Sequence, residues 1–126
     1  MYLVDYEQTR IPEGHYSFQI KTDSEKRKHP GKNNKDFVSI KFFLRATNDS
    51  GQSFDHQESL LSFEDRYHDL LVALGAEEKD GRLSGSTIDP SGMIFQADIV
   101  YEADKTDPTK SWARLVNIKT ADDIPF

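Results

Sequence analysis

The chain predicts an all-β dominated fold, a five-stranded Greek-key barrel with one α-helix between its third and fourth strands. Three observations lead there. Stretches of strand-like period recur at five separate places. Only one stretch, "SFEDRYHDLLVALG", spaces its apolar residues as a helix does. At 126 residues, 36% apolar and 30% charged, the chain has the size and balance of one domain with a real core.

The first strand is "GHYSFQIKT", with Tyr16, Phe18 and Ile20 on one side and Ser17, Gln19 and Lys21 on the other. The segment "DSEKRKHPGKNNKD" that follows offers nothing apolar to bury and reads as a long basic loop. "FVSIKFFLRAT" is the second strand and the longest. Val38, Ile40, Phe42 and Leu44 share one face, and Phe37, Ser39, Lys41, Phe43 and Arg45 share the other. The turn residues Asn48 to Gly51 lead into a third strand, "QSFDHQESLL". In the helix, Tyr67, Leu70, Leu71 and Leu74 form the apolar stripe. Ser62 is placed to cap its start, Glu64 and Asp65 suit its positive end, and Gly75 is placed to close it. A polar connection from Ala76 to about Gly92 precedes the fourth and fifth strands, "MIFQADIVYEA" and "SWARLVNIKT", which are joined by "DKTDPTK". On the fifth, Trp112 and Arg114 share a face with Val116 and Ile118, so alternation leaves its phase open. Strand, strand, strand, helix, strand, strand is the order of the oligonucleotide/oligosaccharide-binding (OB) fold, although other small α+β arrangements share it.

Composition narrows the class. No apolar run approaches the roughly 20 residues of a membrane-spanning helix. The N-terminal "MYLVDYEQTRIPEG" lacks the basic and apolar regions of a secretory signal. There are no cysteines, hence no disulfides and no thiolate zinc site, and a reduced, cytoplasmic setting is expected. The net charge of −6 hides an asymmetry. From Lys21 to Arg45 eight bases face three acids, a net of +5, while the remainder carries −11. Such a basic third focuses a local field that attracts polyanions.

The candidate site follows from that field and from one strand face. A half-buried strand shows polar residues outward, yet the outer face of the second strand alternates aromatic and basic: Phe37, Lys41, Phe43, Arg45. Unpaired bases stack on aromatic rings while cations follow the phosphates, so this pattern suits single-stranded nucleic acid. The bland alternative is that Phe37 and Phe43 cover a small cluster under a loop. Beside this face, the segment from Lys26 to Lys35 holds Lys26, Arg27, Lys28, Lys32 and Lys35 and no acid, with Gly31, Asn33 and Asn34 to let it close over a strand. In an OB fold this loop borders the binding groove. Trp112 and Arg114 complete the candidate contacts. Chemistry of other kinds finds little support. His15, His29, His56 and His68 lack ligand spacing, alternation separates Asp55 from His56 and Glu58, and no phosphate-cradling glycine loop is present. No enzymatic activity, metal or cofactor is expected.

The chain ends in "DDIPF". Asp122, Asp123, Ile124, Pro125 and Phe126 resemble the tip of bacterial single-stranded DNA-binding proteins, which recruits replication, repair and recombination enzymes. The resemblance implies that Phe126 fills an apolar pocket on a partner while its carboxylate meets a basic side chain. Pro125 would stiffen the approach and the aspartates would steer it. The rest of the chain is similar, in element order and loop character, to the small OB-fold single-stranded DNA-binding proteins of bacteriophages and mobile elements. It departs from the bacterial family in having only about "KTA", rather than a long linker, between barrel and tip. The expectation is an OB-fold single-stranded DNA-binding domain over 1–119 and an acidic protein-interaction tip over 120–126. Its partners would be single-stranded DNA and replication or recombination proteins, with no membrane and with self-association left open. The competing reading is a protein-interaction adaptor of the same fold that does not bind nucleic acid.

Overall fold

Alternation along β1 (Gly14–Ile20) sends Tyr16, Phe18 and Ile20 into the core and leaves Ser17 and Gln19 outside. A computed structural model describes this and the other elements over residues 1–3, 10–21, 24–32, 35–85 and 88–121. The tip residues Asp122, Asp123, Ile124, Pro125 and Phe126, and Asn33 and Asn34 of the basic segment, lie outside the described residues. The remaining elements are β2 (Glu25–His29), β3 (Phe37–Thr47), β4 (Ser53–Leu61), α1 (Asp65–Ala73), β5 (Glu78–Lys79), β6 (Arg82–Leu83), β7 (Ile94–Ala103) and β8 (Ser111–Thr120). The fold is mostly β, with one helix among the described residues, and no described helix is long and apolar enough to cross a membrane.

One antiparallel sheet holds six strands, ordered β2-β3-β1-β7-β8 with β4 also paired to β3. The length of β3 makes this possible. One of its edges pairs with β2 over Phe37–Lys41 and with β1 over Leu44–Thr47, and the other pairs with β4. The inner faces meet around Phe18 and Phe95, register partners whose rings stack at 5.2 Å. Leu44, Leu60, Leu70, Ile99 and Leu115 are buried around them.

The basic segment is not wholly a loop. Glu25–His29 pairs as β2 along β3 although none of its residues is apolar. An edge strand takes its backbone bonds from one neighbour and needs no buried face, and a lysine-rich edge discourages pairing with other chains. The connection after the helix likewise contains a hairpin, β5–β6, turned by Asp80 and Gly81 at φ 52° and 74°. Two positive-φ residues of the Asp-Gly type are what a two-residue hairpin loop requires.

The helix is shorter at its start than the stripe predicts. Glu64, not Ser62, occupies the N-cap, and no side chain caps it. The Ser62 hydroxyl instead accepts from the Val38 amide at 3.0 Å, while the Ser62 amide donates to the Val38 carbonyl, so this turn extends the sheet. The C-terminus closes as expected. Gly75, at φ 88°, donates to Val72 and Ala76 donates to Leu71, the paired bonds of a left-handed C-terminal cap.

The phase of β8 is settled by a bulge. Leu115 and Ile118 are both buried although three residues apart, because Asn117 adopts φ 54° where the β7–β8 register shifts. Trp112, Arg114 and Val116 therefore face outward and Ile118 inward.

The sheet does not close. No backbone ladder joins β4 to β8, and side chains bridge the gap. Both carboxylate oxygens of Glu58 on β4 accept from the Leu115 amide, at 2.9 and 3.0 Å. Arg66 of α1 donates to Glu58 and, at 3.2 Å, to the Leu115 carbonyl. His56 lies 2.9 Å from Glu58, and all three side chains are largely buried. Further along the same edge, Arg10 donates to the Ser111 carbonyl at 2.9 Å.

Candidate nucleic-acid interface

The pairing register fixes which residues share the outer face. On β3 these are Phe37, Ser39, Lys41, Phe43 and Arg45. On β2, Arg27 stands opposite Ser39 and His29 opposite Phe37, on the same side. Lys26 and Lys28 stand opposite Ile40 and Val38 and project to the other side. The five bases expected to act as one loop are thus divided, because β pairing alternates their directions. Lys26 borders a cavity of about 240 Å³ lined by Phe42, Leu70 and Leu71, and Lys28 lies 3.3 Å from Asp36. Lys32 and Lys35 are exposed beyond β2. Lys35 comes so close to Gly31 that a Cβ there would lie 1.8 Å from the Lys35 carbonyl oxygen, so only glycine fits.

Phe37 and Phe43 are both half-buried, and their surroundings differ. Phe37 stacks on His29 with centroids 5.0 Å apart and meets Phe63 edge-on at 5.5 Å. His29 is held by the Ser39 hydroxyl at 2.7 Å. A small aromatic cluster does exist here, but it opens to solvent, with Phe63 69% exposed. In the sequence Phe63 falls within the helical stretch "SFEDRYHDLLVALG". Its spacing from Tyr67 and Leu70 matches the core stripe, and only the turn at 62–64 carries it to Phe37. Phe43 has a cation partner, the Lys41 ammonium 5.5 Å from its ring centroid.

Arg45 is exposed and, among the described residues, makes no ion pair. It stands opposite Asp55 on β4. Asp55 accepts from Lys21 at 2.7 Å, and that hydrogen bond holds its carboxyl below the usual carboxylate range.

Trp112 and Arg114 lie elsewhere. Trp112 is 61% exposed and so is not a core residue. β1 and β7 separate β8 from β3 within the sheet, and across the open seam β8 faces β4. There Trp112 and Arg114 line a groove of about 440 Å³ with Arg66 and Lys105. Arg114 is paired with Glu102 at 2.8 Å, and the indole N–H donates to Asp104 at 3.2 Å. Asp104 is held down to about 2, chiefly by the amide and hydroxyl of Thr106 and then by Trp112.

The histidines are spread over separate partners: His15 with Asp98 and Gln96, His29 with Ser39, His56 with Glu58, and His68 with Asp69. Among the described residues no three His, Asp or Glu side chains are grouped to hold a metal ion. No protein-family model matches the chain, and no curated protein matches its sequence.

Proposed function

We propose that this chain is a non-enzymatic single-stranded DNA-binding protein. The observation that carries the reading is the outer face of β2 and β3, where Phe37, His29 and Phe63 and then Phe43 alternate with Arg27, Lys41 and Arg45. Stacking surfaces interleaved with cations serve an unpaired strand, whose bases are free to stack, and not a duplex, whose bases are already stacked. Lys32 and Lys35 extend the positive surface from the end of β2. The fold is proposed to be an OB barrel left open at one seam. Its support is the strand order β4-β3-β1-β7-β8 with the helix between β4 and β7, and the Glu58–Arg66 bridge at the position where β4 and β8 would meet. The segment Asp122–Phe126 is proposed as a recruitment peptide for replication or recombination proteins, on the resemblance of its residues alone.

The deciding experiment is a titration of labelled oligothymidine and of a duplex of equal length, each at several salt concentrations. Tight, salt-dependent binding of the single strand, with much weaker binding of the duplex, is the expected result. Equal binding of both removes the reading, and binding of neither removes it and leaves the adaptor.

A further inference from the structure

One row beyond Phe43 on the outer face, Arg45 of β3 stands opposite Gln19 of β1, and Gln19 stands opposite Ile94 of β7. Neighbouring strands lie about 4.8 Å apart, so these three side chains form an unbroken row roughly 10 Å wide. The next row is Thr47 opposite Ser17, with Ser53 of β4 on the other side of Thr47 and the two hydroxyls 3.1 Å apart. Together the six line an open pocket of about 360 Å³. Its walls are of three kinds: an apolar plate, Ile94, which is 48% exposed; a floor of hydroxyls and one carboxamide; and a guanidinium at the rim. Packing does not account for the plate, since the chain's core contact at this point is made by the next residue, Phe95, which is fully buried.

We propose that this pocket is a nucleotide subsite. An unpaired base has an apolar face and a polar edge. The face would lie against Ile94, and the edge would meet the Gln19 carboxamide, which both donates and accepts and so tolerates any base. The phosphate falls to Arg45 and Lys21. Asp55 holds Lys21 at 2.7 Å and stands opposite Arg45 across the β3–β4 pair, so in the free protein it occupies one of the two cations a phosphate needs and lies beside the other. On the opposite side the track ends at Asp98, whose carboxyl is kept ionised by hydrogen bonds from Asn117 and His15 and repels phosphate. The proposal rests on the single-strand reading and carries the path of the strand past β3, over β1, to the start of β7.

The test is fluorescence anisotropy with oligothymidylates lengthened one nucleotide at a time, at low salt, with a melting curve for every variant. In the Gln19→Ala/Ile94→Ala double variant the affinity for long oligomers should fall roughly fivefold, and the length at which affinity levels off should shorten by about one nucleotide. Asp55→Asn should tighten binding about threefold by releasing Lys21 and removing a negative charge opposite Arg45, a gain that damage to the fold would not produce. An unmoved plateau, or an Asp55→Asn protein that binds no tighter, overturns the subsite while leaving single-strand binding intact. Failure of the unaltered protein to bind any oligothymidylate overturns the functional reading itself.

Discussion

Phe43 stands half-buried between Lys41 and Arg45, its ring in contact with the Lys41 ammonium and facing away from the side of β3 that packs inward. A ring so placed contributes little to the core and is free to take a base. Phe43→Ala is therefore expected to cost about 1–3 kcal/mol of oligonucleotide affinity. The melting curve should show far less than the roughly 3–5 kcal/mol that truncating a core phenylalanine costs. The opposite split, stability lost and affinity kept, makes Phe43 a packing residue. His15 carries a prediction of another kind. Its Nδ1 lies 2.7 Å from an Asp98 oxygen and its Nε2 2.8 Å from Oε1 of the Gln96 side chain, so the doubly protonated ring donates to both. These bonds, that to Asp98 first, raise its pKa above the ordinary 6.5. The native state thus holds this proton more tightly than the unfolded chain does. The stabilisation is complete below pH 6.5 and is lost as pH rises through the raised native value. The gap in urea midpoint between the protein and its His15→Ala variant should shrink over that range. A gap that does not change with pH means the ring acts without its charge.

Among the elements, β4 and β8 pose the sharpest question, since two sheet edges face each other without a ladder. Glu58, Arg66 and His56 take the place of the missing backbone bonds, and the Glu58 carboxylate accepts from Leu115 as a neighbouring strand's carbonyl would. The pair is largely buried, and removing Glu58 takes the acceptor from the Leu115 amide and leaves Arg66 with Glu64, 2.7 Å away, as its one carboxylate partner. Glu58→Ala should destabilise the fold by about 3–5 kcal/mol. It should also speed amide exchange at Leu115 more than at Ile99 on the neighbouring strand. A variant with unchanged stability and exchange shows that the seam is held by the core alone. The elements also differ in how legible they are. β3 and β8 match the expected stretches end for end, since alternation and turn residues are local signals. β2 looks like loop in the sequence because a wholly polar strand has no period to detect. The β5–β6 hairpin did carry its Asp-Gly turn, but two residues on either side are too few to show a strand period.

Over the whole molecule, the charge asymmetry controls how it meets a polyanion. The basic third lies along β2 and β3, and β pairing spreads it over both faces of the ribbon. With four or five phosphates engaged, the slope of log affinity against log salt should be roughly −3, at about −0.7 per contact. Reversing Arg27, the β2 base on the outer face, and Lys32 to glutamate should weaken single-strand binding at least about tenfold. Unchanged affinity in the folded double mutant would exclude β2 and its extension from the interface. The segment Asp122–Phe126 adds two negative charges and nothing that a phosphate would seek. Its deletion should leave single-strand affinity equal or slightly higher, most visibly at low salt, while abolishing capture of a recombination or replication partner. Loss of DNA binding on deletion would make the segment part of the fold.

By itself the sequence determined what depends on neighbours a few residues away. These are the strand faces of β1, β3 and β7, the helical stripe with its Gly75 cap, the turns, and the aromatic and basic alternation of the candidate site. The tertiary structure decided whatever depends on which distant residues meet. Pairing with β3 turned a lysine-rich segment into β2 and divided its bases between two faces. A register shift against β7 put Asn117 in a left-handed conformation and ended the ambiguity of β8. Chain reversal at residues 62–64 brought Phe63 to Phe37, and the curvature of the sheet brought Glu58 to Leu115, 57 residues apart. Local period fixes the direction in which a side chain points, but only long-range pairing fixes what it points at.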